Sequence, residues 1–297
     1  MPAIIDLHSH TTASDGADTP SELIAHAHRA GINVLGLTDH DTTSGWDEAS
    51  AALGGTHLTL IRGIELSAQV IDDIPGAIPR SVHLLGYLPD PEHPRLQEET
   101  VRIRRHRDDR LRLMVDKLSV DFDITWDEVA VHIPPGATPG RPHIAHILIE
   151  KGYFVDTTAA FAGPLRGDGE YHVPHYAPRL TTAISVISEA GGVPILAHPY
   201  TGERSGAVNH GVALEQILRG YEVFVDAGLA GLEINHRENT EEGKRVLTQV
   251  ALEFDLIVTG SSDFHGTKKP NHLGENTTAE DQLERILERA SGSLPLS

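Results

Sequence analysis

Ala3-Ile4-Ile5-Asp6-Leu7-His8-Ser9-His10 reads as a short buried strand that ends in two imidazoles. Residues i and i+2 of a strand point to one side, so His8 and His10 are presented together. The same geometry returns near the other end of the chain in Asp263-Phe264-His265. Between them, further metal-competent groups stand in or at the ends of apolar stretches. These are Asp39-His40 after 33–38, Glu65 after 58–64, His83 within 81–87 and His198 after 193–197. One such imidazole has an ordinary structural explanation, whereas a series of them points to a polynuclear metal site.

Helical patterns separate most of these strands. Thr19-Pro20-Ser21-Glu22 opens a helix with Thr19 as N-cap, Pro20 in the first helical position and Glu22 completing a capping box; Gly31 stops it. Further helices are expected at about 44–53, 180–190, 212–226 and 240–253, and further strands at 229–234 and 255–260. Seven strands mostly separated by helices imply an α/β chain built of parallel crossover units. In barrels of this kind the chemistry sits at the C-terminal ends of the strands. The rhythm breaks after Tyr87: a long charged helix at about 97–118 and short helices at about 126–132 and 142–151 accompany a Pro-, Gly- and aromatic-rich stretch. Residues 1–90 and 179–297 are therefore expected to form the barrel domain, and 91–178 a mostly helical insertion that caps its mouth.

The chain has 297 residues, 39% hydrophobic and 23% charged, which suits a globular protein with a substantial core. Its formal net charge of −19 argues against loose binding to long duplex nucleic acid. A small phosphorylated substrate is compatible with that charge, because bound divalent cations invert the local field. There are no cysteines, so any metal must be held by imidazole and carboxylate, a set that suits zinc, manganese or iron. The first residues lack a basic region followed by an apolar one, and no run of about 18 apolar residues occurs. The expectation is a cytoplasmic protein without a membrane span.

The sequence supplies ligands for two or three divalent ions. His8, His10 and Asp263 suit a first, Glu65 a bridging carboxylate, His83 and His198 a second, and Asp15, His40 and His265 a third. Glu65, Asp39 and Asp41 are the candidate catalytic carboxylates. A phosphomonoester also needs cationic or hydrogen-bonding side chains beside the metals. The candidates are Arg141, His143, Arg204, His236 and Arg105, the last on a face of the charged helix shared with Arg102 and Asp109. That helix fits a solvated, salt-bridged surface equally well.

Asp6-Leu7-His8-Ser9-His10, Ser14-Asp15-Gly16, Leu37-Thr38-Asp39-His40-Asp41, Gly63-Ile64-Glu65, His83-Leu84-Leu85-Gly86-Tyr87, Ala197-His198-Pro199 and Ser262-Asp263-Phe264-His265 resemble, in order, the motifs of the PHP (polymerase and histidinol phosphatase) family. The resemblance implies a distorted seven-stranded βα barrel, a trinuclear manganese, iron or zinc site and metal-dependent phosphoesterase activity. Gly140-Arg141-Pro142-His143 resembles the branch active on nucleotides. The implied substrate is a nucleoside 3′,5′-bisphosphate, hydrolysed at the 3′ position. Alternatives are stepwise removal of 5′ nucleotides from short RNA, histidinol-phosphate hydrolysis, or a non-catalytic metal-binding module of the kind found inside polymerases.

Overall fold

Seven short strands pair edge to edge in the order in which they occur in the chain: β1 (Ile5–Asp6), β2 (Val34–Leu37), β3 (Thr59–Val70), β4 (Arg80–Tyr87), β5 (Val193–Leu196), β6 (Gly231–Asn235) and β7 (Ile257–Gly260). The computed structural model describes residues 2–71, 80–200 and 212–297. A parallel bridge between Ser9 and Phe264, just beyond β1 and β7, brings the two edges of the sheet together into a distorted barrel. The His10 amide donates to the Phe264 carbonyl at 2.8 Å across this seam. His8-Ser9-His10 and Asp263-Phe264-His265 are thereby laid side by side.

β1–β2, β2–β3, β5–β6 and β6–β7 are parallel, as the alternation with helices requires. β3–β4 and β4–β5 are antiparallel. This corrects the expectation of parallel crossovers in that region, and the reason is visible in the chain. β3 continues through Glu65 to Val70 and β4 opens at Arg80, so the connection is shorter than the dozen or more residues a parallel crossover needs. The reversal places the N-terminal end of β4 at the end of the barrel where the other strands finish. His83 therefore lies at the mouth although it sits near the start of its strand.

Strand alternation sorts the side chains of β3. Ile64, Leu66 and Ala68 pack outward with α7 (Leu180–Glu189), α8 (Leu214–Asp226) and α9 (Glu241–Glu253), while Glu65 between them turns to the imidazoles. α1 (Pro20–Arg29) and α2 (Trp46–Ala51) cover β2 and the start of β3 through Leu23, Ile24, Leu35, Leu37, Trp46 and Leu60. The capping box of α1 is formed in full: Thr19 Oγ1 accepts from the Glu22 amide, and Glu22 accepts from the Thr19 amide. α10 (Glu280–Arg289) packs Ile286 and Leu283 on the closed end of the barrel.

Between β4 and β5 lie α3 (Pro94–Leu118), α4 (Trp126–Ala130), α5 (Arg141–Glu150) and α6 (Thr157–Ala162). They enclose an apolar cluster of their own, including Leu111, Met114, Leu118, Ile144, Leu148 and Leu165. α6 and α10 are helices that the sequence reading left unassigned. Among the described residues no helix is long and apolar enough to cross a membrane.

Candidate metal centre

The Glu65 carboxylate is the point on which the imidazoles converge. Its Oε2 lies 3.3 Å from His8 Nε2, 3.2 Å from His10 Nε2 and 2.9 Å from His40 Nδ1. Its Oε1 lies 2.9 Å from His83 Nδ1 and 3.2 Å from His198 Nε2. A second carboxylate oxygen, Asp263 Oδ1, stands 3.4 Å from His8, 3.2 Å from His10 and 3.4 Å from His265. Asp15 faces His265 Nε2 at 3.2 Å, His10 Nδ1 at 3.7 Å and His40 Nε2 at 3.8 Å. The structure thus gathers all nine of the expected ligands at one end of the barrel.

His198 Nε2 is hydrogen-bonded to Glu65 Oε1, but proximity elsewhere in the cluster is not always hydrogen bonding. Glu65 Oε2, His40 Nδ1 and His265 Nε2 are all buried without a hydrogen-bond partner, although their neighbours are close. Buried groups orphaned in this way are costly unless a cation satisfies them. The donor set is imidazole and carboxylate, so the residues fit two or more divalent ions. Three groupings have ligand atoms all within 4.8 Å of one another: His8, His10, Glu65; His40, Glu65, His83; and His10, Asp15, His40, His265.

The charge balance agrees. Burial alone would raise the Glu65 carboxyl, but His40, His83 and His8 hold it well below the usual carboxylate range. Burial likewise opposes protonation of His10, yet Asp263 and Glu65 push it up to about 9. Without cations, protons on imidazole must supply the positive charge that these carboxylates demand. Backbone strain gathers here as well. Asp41 (φ 53°), His198 (φ 27°) and Asp263 (φ 53°) are non-glycine residues in the left-handed region, at a cost of about 1–3 kcal/mol each.

Three further groups hold the cluster in place, and the sequence reading passed over them. Glu233, on β6, accepts from His8 Nδ1 at 3.0 Å and from the His198 amide at 2.9 Å, and also from Ser261. It fixes the His8 tautomer so that Nε2 faces the site. Lys269 donates to Asp263 Oδ2 at 2.7 Å. Asp6 accepts from the Ser262 and Gly274 amides at 3.0 and 2.8 Å, tying β1 to the segment after β7. A fully buried Glu inside the apolar run Gly231-Leu232-Glu233-Ile234 was the available signal.

The remaining expected residues divide. Asp39 is buried and saturated by the Thr11 amide, Thr11 Oγ1 and Ser14 Oγ at 2.8, 2.7 and 2.6 Å. Asp41 accepts from the Ser67 amide and hydroxyl at 2.7 and 2.8 Å and is ion-paired with Arg107, whose Nε stands 2.8 Å away. Neither is the available acid or base that the sequence suggested. His236 is fully buried, its ring 5.0 Å from that of His198 and its Nε2 3.8 Å from Asp263 Oδ2. His143 is buried in the first turn of α5, its ring nitrogen against Gly140. Arg141 donates to the Leu165 carbonyl at 2.8 Å and stacks 5.0 Å over Phe161. Arg105 is a correction. It is exposed and lines an outer groove of α3 with Arg102 and Asp109. The inward face of that helix runs through Ile103, Leu111 and Met114, and Arg107 reaches the site from it. Arg204 lies outside the described residues.

The PHP domain profile matches residues 6–129. A 5′-3′ exoribonuclease of Haemophilus influenzae is 30% identical over 96% of this chain and 98% of its own. The chain belongs to the PHP family. A 3′,5′-nucleoside bisphosphate phosphatase of Chromobacterium violaceum is also 30% identical, over 96% of this chain and 94% of its own. In structure, a Bifidobacterium adolescentis protein assigned as a metal-dependent phosphoesterase superposes with a TM-score of 0.88 at 37% identity, covering 98% of both chains. This PHP protein is accordingly a metal-dependent phosphoesterase, a hydrolase of phosphate esters.

Proposed function

We propose that this PHP enzyme hydrolyses the 3′-phosphate of nucleoside 3′,5′-bisphosphates. The observation that carries the reading is a cationic wall beside the metal centre. Arg107, Arg110, Arg141 and His175 stand close enough to perturb one another. Burial, then Arg141 and Arg107, lower the Arg110 guanidinium to about 9. Burial, then Arg107, Arg110 and Arg141, push His175 down to about 2, and its buried Nε2 has no hydrogen-bond partner. His83 also contributes to that field, which puts the wall next to the metal ligands. A cluster of mutually repelling guanidinium groups is what a second phosphate, distinct from the one being cleaved, would relieve. On this reading the helices of residues 91–178 form the cap of the active site and carry its recognition groups.

His8, His10 and Asp263 would hold one cation, His83, His198 and Glu65 a second, and Asp15, His40 and His265 a third. Manganese, iron and zinc all suit this donor set. When bound, such ions neutralise the phosphoryl charge and make a water acidic enough to act as nucleophile near neutral pH. Glu233 keeps the lone pair of His8 Nε2 turned to the site. Asp39 orders the loop from Thr11 to Ser14 that delivers Asp15. Asp41, through Arg107, couples the barrel to α3. Arg141, Arg110 and His143 orient the nucleotide, and His236 closes the floor of the pocket.

The test compares phosphate release from adenosine 3′,5′-bisphosphate, adenosine 3′-phosphate and histidinol phosphate by the manganese-loaded enzyme. The bisphosphate is expected to have a kcat/KM higher by on the order of a hundredfold, the equivalent of two good charge-assisted contacts. Arg110→Met should raise KM for the bisphosphate and leave the 3′-phosphate reaction nearly unchanged. Preference for histidinol phosphate overturns the reading. A second reading, 5′ to 3′ removal of nucleotides from short RNA, is favoured by the near full-length similarity to the exoribonuclease. It uses the same wall for a 5′-phosphate. It prevails if 5′-phosphorylated oligonucleotides lose mononucleotides faster than the bisphosphate loses phosphate.

A further inference from the structure

Outside the core, one other group of imidazoles and carboxylate among the described residues has the arrangement of a chelate. His132 follows α4, and His146 and Glu150 stand one turn apart on the exposed face of α5. His132 Nε2 and His146 Nε2 each lie 3.9 Å from Glu150 Oε2. The two rings are 4.5 Å apart with planes inclined by 57°. At this separation neither imidazole is hydrogen-bonded to the carboxylate. The three ligand atoms all fall within 4.8 Å of one another. Such a triangle contains a point about 2.5 Å or less from every corner, and small rotations of exposed side chains close it to the roughly 2.0–2.2 Å of zinc bonds to nitrogen and oxygen.

We propose that His132, His146 and Glu150 form a peripheral site for a zinc-class divalent cation on the insertion, separate from the catalytic cluster. Two imidazoles with one carboxylate select zinc, nickel or copper over magnesium and calcium, which prefer all-oxygen shells. With three protein ligands, the fourth tetrahedral position is left to water. The ion would close the loop between His132 and His146. That loop is docked on the barrel, because the Thr138 amide donates to the Ala13 carbonyl at 3.0 Å. Its far end carries Arg141 and His143 in the first turn of α5. Zinc at the rim would therefore staple the segment that presents the recognition arginine, without touching the reacting atoms.

The experiment uses full-length protein equilibrated with zinc, followed by elemental analysis and thermal melting. Wild-type protein should hold one zinc per chain more than the double variant His132→Ala/His146→Ala. Its affinity for that equivalent should fall on the order of tenfold or more in Glu150→Gln. Added zinc should raise the melting temperature of manganese-loaded wild type and leave the double variant unmoved. The three residues are exposed, so the variants should keep manganese-dependent turnover, which reports an intact fold. Equal zinc content in wild type and double variant overturns the site, as does an equal zinc-induced stabilisation of both.

Discussion

Five imidazoles within 3.3 Å of one carboxylate make Glu65 the residue least open to replacement. Glu65→Gln keeps the shape but removes the charge. Turnover should fall well beyond the ~10–100-fold that losing an outer partner costs, while the circular dichroism spectrum stays native. Near wild-type phosphate release would end the bridging assignment. Glu233→Gln leaves all nine proposed ligands in place and removes the group that orients His8. It should weaken metal binding or activity by ~10–100-fold, measured as the manganese concentration needed for half-maximal rate. His175 offers a test by pH. Its pKa in the folded state is depressed by burial and the three arginines to about 2, far below the ~6.5 of an unfolded chain. The unfolded state therefore takes a proton that the native state refuses. The stability tied to a neutral His175 is complete above pH ~6.5 and declines as pH falls below it, by up to ~1.4 kcal/mol per pH unit. In urea melts of chelator-treated protein at pH 7, 6 and 5, His175→Asn should gain stability relative to wild type at each step down. A constant difference between the two would show that His175 is protonated at no cost.

At the scale of elements, Gly36 makes the barrel tight. A Cβ there would fall 2.0 Å from the Leu7 carbonyl oxygen, on the backbone of the strand that delivers His8. Gly36→Ala should destabilise by about 3 kcal/mol, the upper part of the range for overpacking, and lower metal affinity with it. An unchanged urea midpoint would mean that β1 and β2 can part without loss. Much of the element order was legible, because helix signals are local: Thr19, Pro20 and Glu22 announce α1 within four residues. Strand direction is not local. The reversal of β4 depends on how far β3 runs past Glu65 and how short the connection to Arg80 is, and so His83 stood inside its strand in the sequence while lying at the mouth in the fold. The inward arginine of α3 was misassigned for a related reason. Every face of that helix carries charge, and only its packing against Leu165 and Ile144 tells Arg107 from Arg105. Glu233 was hidden by company: an acid among Leu232, Ile234 and Gly231 was read as strand, and its partner His8 lies 225 residues away.

The molecule as a whole carries a net charge of −19 and concentrates in one cluster the buried carboxylates of Glu65 and Asp263 and the partly buried one of Asp15. Divalent cations relieve that repulsion. Removing them with a chelator should abolish turnover and lower the melting temperature, and manganese should restore both. At a hundredfold excess over its dissociation constant, a single ion contributes about 2.7 kcal/mol to stability. Melting that is indifferent to the chelator would mean that imidazolium protons balance the cluster as well as metal does. On the proposed reading, the wall of Arg107, Arg110 and Arg141 then gives an anionic substrate positive charge beside that cluster.

The bridge between Ser9 and Phe264 sets a timetable for maturation. During synthesis His8 and His10 leave the ribosome well before Asp263 and His265. Until the later segment emerges, a nascent chain lacks Asp263 and His265 and the seam that lays them beside His8 and His10. Completion of the ion cluster thus waits for the segment after β7, and a chain without it presents an incomplete set of ligands. A chain stopped after residue 255, lacking Asp263 and His265, should accordingly bind fewer manganese ions than the full chain.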